Sequence, residues 1–320
     1  APVILPNDTN IVDFEQAALD IWRWDAPYTP PQESVNRKKL REHTMPLVID
    51  LATDKQTLVT GNELVSVTPS DEWNGDNVLL RDPTQWQVTR QWDYLAPEEL
   101  SVLNLSNGVI TPVGVEKSDL NGLSPMGKYV VMFSDRDYYA FNPATGEKVN
   151  ISKGIEFPLW DEDQDIPMDR MPYGMAGWTK NDDRLLVYDR YDIWSLDPTG
   201  KTAPVNMTAG QGRKNGITYR YIRTDREERF LTPGQDMLLS VFRHSDKENG
   251  FAMAKAGTAA APKLLTIEPK SFTQVAKAKN APVYVFQKAD FSTSPEVYIA
   301  TNNNFAKAQC VTDANPQMKE

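Results

Sequence analysis

An all-β fold built from repeats is what this sequence predicts, and three observations predict it. With 23 Pro and 17 Gly in 320 residues, turns are frequent and long helices are not expected. Short β-branched and aromatic runs, such as Tyr129-Val130-Val131-Met132-Phe133 and Leu185-Leu186-Val187-Tyr188, are bounded by polar turns, the signature of short antiparallel strands. Most telling, two stretches repeat the same order of parts. Ser124 to Phe133 followed by Tyr138 to Gly146 matches Trp178 to Tyr188 followed by Asp192 to Gly200: a polar turn, a strand, a second turn, another strand and a glycine-containing hairpin turn.

An Asn or Asp near the end of the later strand extends the pattern. Asp50 after Leu47-Val48-Ile49, Asn104 after Val102-Leu103, Asn142 and Asp197 are spaced by 54, 38 and 55 residues, with weaker echoes at Phe251-Ala252-Met253 and Val297-Tyr298-Ile299. Several strands in a repeat of this length point to the four-stranded antiparallel blades of a β-propeller, about six to seven blades or part-blades in an incomplete ring. Helical repeats would need a 3.6-residue apolar period that is missing here. A generic β-sandwich with accidental similarity is the weaker alternative. One segment breaks register: Asp20-Ile21-Trp22-Arg23-Trp24-Asp25-Ala26-Pro27 resembles Asp192 to Pro198 but lies only 25 residues before Asp50, measured from Asp25. It is expected to be an earlier strand of the blade ending at Asp50, with Pro30-Pro31 to Glu42 as an inserted hairpin or loop.

Composition narrows the function classes. Lys and Arg number 34 against 44 Asp and Glu, a formal charge of −10, which argues against nucleic acid as a partner. A mean hydropathy of −0.52 and the lack of a long uncharged apolar run predict no membrane span. The 40% apolar and 10% aromatic content can build a sizeable core. A single cysteine, Cys310, rules out a disulfide within the chain and reads as a small buried or edge thiol. The start, Ala1-Pro2-Val3-Ile4-Leu5-Pro6, has no basic stretch leading into an apolar one. The end, Asn315-Pro316-Gln317-Met318-Lys319-Glu320, reads like a linker stopped before something else.

A family resemblance rests on particular motifs. Tyr173-Gly174-Met175-Ala176-Gly177-Trp178-Thr179, Asp189-Arg190-Tyr191-Asp192-Ile193-Trp194 and Asn206-Met207-Thr208-Ala209-Gly210 resemble the propeller of prolyl-oligopeptidase-type serine peptidases, the group that includes dipeptidyl peptidase IV and acylaminoacyl peptidase. Asp20-Ile21-Trp22-Arg23-Trp24 near the start and Asp313-Ala314-Asn315-Pro316-Gln317 at the end are similar too. The likeness spans most of the chain and is densest from about Gly154 to Pro316. It implies that residues 1–320 form a single propeller domain, with an α/β-hydrolase domain expected after residue 320 as its partner. It also implies a peptide substrate and a periplasmic or secreted setting. The family usually has seven or eight blades, so further material is expected before Ala1.

The chemistry of a peptidase is harder to find. No Gly-x-Ser-x-Gly elbow occurs; the nearest stretch, Gly122-Leu123-Ser124-Pro125-Met126-Gly127, is one residue too long and reads as a blade turn. His43 and His244 are the two histidines, and adjacent His244-Ser245-Asp246 cannot supply a triad whose members must converge from separate elements. No catalytic residue is assigned, and the chain alone is expected to be inert. Asp161-Glu162-Asp163-Gln164-Asp165 spaces carboxylates like a calcium loop, but Ile166 and Pro172 stand where glycine and glutamate are required, so a solvated acidic loop is the preferred reading. Zinc and a phosphate-cradling loop have no candidate residues, and no metal or cofactor is expected.

Aminopeptidases of the family present paired glutamates to a peptide's free amino terminus. The candidates are Glu98-Glu99 and Glu227-Glu228, whose carboxylates could hold an ammonium by charge-assisted hydrogen bonds. Exposed surface charge is the preferred reading of both pairs, the second being flanked by Arg226 and Arg229. The expected function is the substrate-gating and positioning propeller of an exported serine peptidase acting on short peptides. The competing expectation is a free-standing TolB-like propeller that binds proteins or glycans.

Overall fold

The computed structural model describes residues 10, 12, 15, 21–117 and 121–319. Among the described residues, five four-stranded antiparallel sheets, each an up-and-down meander of strands consecutive in sequence, follow a two-stranded hairpin. The hairpin is β1 (Leu47–Ile49) and β2 (Gln56–Leu58). The first sheet comprises β3 (Ser66–Pro69), β4 (Asn77–Asp82), β5 (Glu98–Asn104) and β6 (Ile110–Glu116). The second comprises β7 (Gly122–Leu123), β8 (Val130–Ser134), β9 (Asp137–Asn142) and β10 (Glu147–Asn150). The third is β11 (Met175–Trp178), β12 (Leu185–Tyr188), β13 (Ile193–Leu196) and β14 (Val205–Asn206). The fourth is β15 (Ile217–Tyr221), β16 (Asp236–Arg243), β17 (Asn249–Lys255) and β18 (Lys263–Glu268). The fifth is β19 (Ser271–Lys277), β20 (Val283–Ala289), β21 (Glu296–Thr301) and β22 (Gln309–Cys310). Repeated four-stranded meanders of this kind are β-propeller blades. The chain divides into two compact units, Ala1–Leu123 and Ser124–Glu320.

The expected equivalence of strands is observed: Val130–Phe133 and Leu185–Tyr188 are the second strands of their blades. Both are buried along their whole length, because a second strand has a neighbouring strand on either side and packed side chains on both faces. Inside the second unit, alternation along β16 shows how blades stack. Met237, Leu239 and Val241 join Leu186, Tyr188 and Ile193 of the preceding blade, whereas Leu238 joins Phe251, Tyr284 and Phe286 towards the following one. Phe251 packs edge-on to Phe286 with ring centroids 5.4 Å apart.

The Asn and Asp markers acquire a mechanism. Asn104, Asn142 and Asp197 each end or follow a third strand, and each side chain accepts a backbone N–H two or three residues on: Asn107 at 3.2 Å, Ala144 at 2.9 Å and Thr199 at 2.9 Å. These Asx turns start the hairpin into the outer strand. Asp50 does the same in the β1–β2 hairpin, accepting from Ala52 at 2.8 Å.

The start of the described chain departs from expectation. Pro30–Arg41 is an α-helix, α1, and not an inserted hairpin or loop. Pro30 and Pro31 lie in its first turn, where a missing N–H costs nothing, and Thr29 and Gln32 form a capping box. Glu33 in the first turn and Lys38, Lys39 and Arg41 in the last complement the helix dipole. Residues 21–28 hold no strand: Arg23 grips Asp25 through two N–H groups at 3.0 and 2.7 Å, and the Ala26 N–H returns to the Arg23 carbonyl. Asp20 lies outside the described residues.

Candidate functional site

Alternating strand direction sends second-to-third hairpins and fourth-to-first connections to one end of the blades. First-to-second and third-to-fourth turns go to the other. At this second end, Ser124 is fully committed to structure. It is 1% exposed, its hydroxyl donates to Asp182 Oδ2 at 2.5 Å, and it accepts the Tyr129 N–H at 3.0 Å. Asp182 also accepts the N–H groups of Met126 (3.1 Å) and Lys128 (3.3 Å), joining the equivalent turns of two blades. Within the Gly122 to Gly127 stretch, Gly122 and Leu123 form β7 and Ser124 to Gly127 the blade turn read from the sequence.

The first end carries a cluster of cations and aromatic rings, and its foundations are the family-like motifs. Asp189 accepts the N–H groups of Tyr191 (2.7 Å) and Asp192 (2.6 Å) and the Trp194 indole N–H (3.0 Å), which closes the β12–β13 hairpin. Asp192 accepts the Thr208 hydroxyl at 2.5 Å and the N–H groups of Gly212 (2.9 Å) and Arg213 (3.0 Å) in the short helix α2 (Gln211–Asn215). Gly212 is required: a Cβ there would lie 2.7 Å from the Tyr191 carbonyl and 2.8 Å from Asp192 Oδ1. Asn206 shapes the preceding turn by accepting from Thr208 (3.0 Å) and Gly210 (3.1 Å).

On this frame stand three arginines. Arg220 of β15 donates to the carbonyls of Tyr219 (2.8 Å) and Asp189 (3.0 Å) and lies over the Tyr188 ring at 4.6 Å. Burial holds its pKa below the ordinary arginine value. Arg190, at the hairpin tip, pairs with Asp163 at 2.7 Å. Arg213 lies over the rings of Phe157 (3.9 Å) and Tyr191 (5.0 Å), with Asp189 Oδ2 3.6 Å from its Nη2. Asp163 brings in the acidic loop, in which Asp161 accepts the Asp163 N–H at 3.0 Å, Gln164 folds onto the Met168 and Asp169 carbonyls, and Glu162 Oε2 is buried without a hydrogen bond. Among the described residues there is no group of three metal-ligating side chains.

His244 borders the cluster, its ring edge-on to Tyr191 at 5.3 Å. Thr218 Oγ1 donates to the Arg190 carbonyl and lies 2.9 Å from His244 Nε2, so the ring N–H donates to Thr218. Burial, then the charges of Arg190 and Lys247, hold its pKa below the ordinary 6.5. A lowered folded pKa means that the unfolded chain binds the proton first, so the histidine's contribution to stability is present above pH 6.5 and declines as pH falls below it. Thermal melts are expected to fall more steeply between pH 7 and pH 5 in the natural protein than in His244→Gln. Parallel curves would show that the imidazole carries no such linkage.

The paired glutamates do not converge. Glu98 and Glu99 are successive residues of β5, and strand alternation turns them to opposite faces, Glu98 towards Arg81 (3.9 Å) and Glu99 outward. Glu228 accepts the Tyr221 hydroxyl at 2.6 Å and the Gln235 amide, whereas Glu227 is exposed beside Lys279 at 3.2 Å. Two engaged carboxylates facing different partners are poorly placed to share one ammonium. His43 follows α1 and is exposed in the first unit, beside an open groove of about 560 Å³ that also touches Tyr28, Asn36 and Arg90. Cys310 is exposed on the outer strand β22, which makes it an edge thiol. The arginine cluster escaped the sequence reading because its members lie on a hairpin, a short helix and a strand of two different blades. The Asp189-to-Trp194 motif was the signal available for it.

No family model matches the chain, and no curated protein matches it. Solved structures do resemble it. The propeller domain of the trilobed protease from Pyrococcus furiosus superposes with a TM-score of 0.39 at 10% identity, covering 84% of this chain and 77% of that one. A protein assigned as a dipeptidyl aminopeptidase IV from Bacteroides ovatus gives 0.48 at 8% identity over 85% of this chain, which spans 47% of the other. A protein assigned as TolB from Agrobacterium tumefaciens gives 0.37 at 12%, over 84% and 90%. The β-propeller class stands on the sheet topology itself. No helix among the described residues is long and apolar enough to cross a membrane.

Proposed function

We propose that residues 1–320 form one propeller domain that admits and positions short peptides for the hydrolase domain of an exported serine peptidase. The observation that carries this reading is the arginine and aromatic cluster, built at one end of the blades by the same Asp189-to-Trp194 and Asn206-to-Gly210 motifs that resemble those peptidases. Rigid blades presenting partly exposed guanidinium groups beside tyrosine rings suit the polar backbone and charged termini of an extended peptide. The commitment of Ser124 to Asp182 supports a positioning role without chemistry of its own.

Two measurements test it. Purified residues 1–320 are expected to bind short unstructured peptides and to leave chromogenic Xaa-Pro and Xaa-Ala peptides uncleaved. Turnover that persists through purification and disappears in Ser124→Ala would overturn the inert reading. Binding to folded proteins or glycans, with none to peptides, would favour a free-standing binding module of the TolB-like kind.

A further inference from the structure

Arg190 and Arg213 lie over one tyrosine ring, with Tyr191 5.5 Å from the first guanidinium and 5.0 Å from the second. Their hydrogen bonding is incomplete, although Asp163 and Glu162 both favour the Arg190 charge. Nε of each, and Nη2 of Arg213, are buried without a hydrogen bond, and Asp189, 3.6 Å from the Arg213 guanidinium, already accepts three N–H groups. Both side chains remain open to solvent elsewhere, at 26% and 28% exposure. Arg190 shows what such a group holds: the Asp163 carboxylate at 2.7 Å, from a side chain that is itself 67% exposed. An ion pair this open to water contributes little and can be exchanged.

We propose that Arg190 and Arg213 form a receptor for the carboxylate of a peptide's C-terminus, and that Asp163 occupies the Arg190 half of it until a peptide displaces it. This rests on the peptide-positioning reading and specifies which end of the peptide is held. The Phe157 and Tyr191 rings lie 3.9 and 5.0 Å from the Arg213 guanidinium, so a carboxylate would meet this group at the exposed part of its edge.

The test compares N-acetyl-dialanine with its C-terminal amide by calorimetry on residues 1–320. The acid is expected to bind about tenfold more tightly than the amide. Arg190→Gln and Arg213→Gln should each reduce that preference to about threefold or less. Asp163→Asn should tighten the acid by about threefold and leave the amide unchanged, since it removes the internal competitor. A gain and a loss from neighbouring substitutions cannot both come from misfolding. Equal binding of acid and amide, or an unchanged preference in Asp163→Asn, overturns the carboxylate receptor while leaving peptide positioning intact. Inorganic phosphate that displaces the acid at equal concentration overturns it in favour of an undiscriminating cationic surface. If neither peptide binds, peptide positioning falls with it.

Discussion

Asp182→Ala is expected to destabilise the Ser124–Glu320 unit by about 2–4 kcal/mol. The carboxylate is 1% exposed and gathers the Ser124 hydroxyl with the N–H groups of Met126 and Lys128. Hydrogen bonds to a charged group contribute about 1.5–3 kcal/mol each, but Met126 and Lys128 are exposed and their N–H groups regain water. The buried Ser124 hydroxyl regains nothing. Asp182→Asn retains an acceptor oxygen and is expected to cost about half as much. Ser124→Ala alone should cost about 1–2 kcal/mol, and the double variant should lose less than the two singles together, because they break the same bond. Urea unfolding followed by tryptophan fluorescence reads all four. Strictly additive losses, or a loss below about 0.5 kcal/mol in Asp182→Ala, would show that the two turns are not latched through this carboxylate.

The blades were legible because their signals are local. An Asx turn needs only its own residue and the next two or three, so Asn104, Asn142 and Asp197 mark third strands directly. Fully apolar runs such as Val130-Val131-Met132-Phe133 announce strands buried on both faces. The α1 helix was illegible for the opposite reason: Pro30-Pro31 also opens turns, and only the capping geometry at Thr29 and Gln32 separates the two outcomes. A second repeated device went unread. An acid opening the third strand receives the hydroxyl of a Ser or Thr after the fourth, and that hydroxyl accepts the N–H following the acid. The pairs are Asp137 with Ser152, Asp192 with Thr208 and Glu296 with Thr312, whose acceptances are from Tyr138, Ile193 and Val297. Partners 15 or 16 residues apart reach each other only once a hairpin brings the strands together, which no short-range pattern reports. The arginine cluster lies further still from local reasoning, since its geometry depends on how two blades pack.

Asp192 is where that packing and the candidate site meet, and Asp192→Ala should be the most costly of these changes. Its carboxylate is 1% exposed, and two of its donors, the Thr208 hydroxyl and the Gly212 N–H, are themselves buried. The Gly212 N–H recovers no bond when the acid is removed and the Thr208 hydroxyl keeps only Asn206 Oδ1 at 3.0 Å, so a loss of about 3–5 kcal/mol is expected. In a unit of this size that lowers the melting temperature by about 10 °C. Function should suffer beyond stability. The Arg213 N–H is held by Asp192 Oδ2, and releasing it frees the helix that places the Arg213 guanidinium over the Phe157 and Tyr191 rings. The preference for a peptide acid over its amide should therefore disappear in Asp192→Ala at temperatures where the protein is still folded. Thr208→Val separates the two effects: it removes the hydroxyl and leaves the Ile193 N–H unanswered, at about 1–2 kcal/mol, but keeps the carboxylate bonds to Gly212 and Arg213. That variant should melt earlier and still distinguish acid from amide. Loss of the distinction in Thr208→Val, or its survival in Asp192→Ala, would show that Arg213 is placed by something other than the Asp192 hold on its helix.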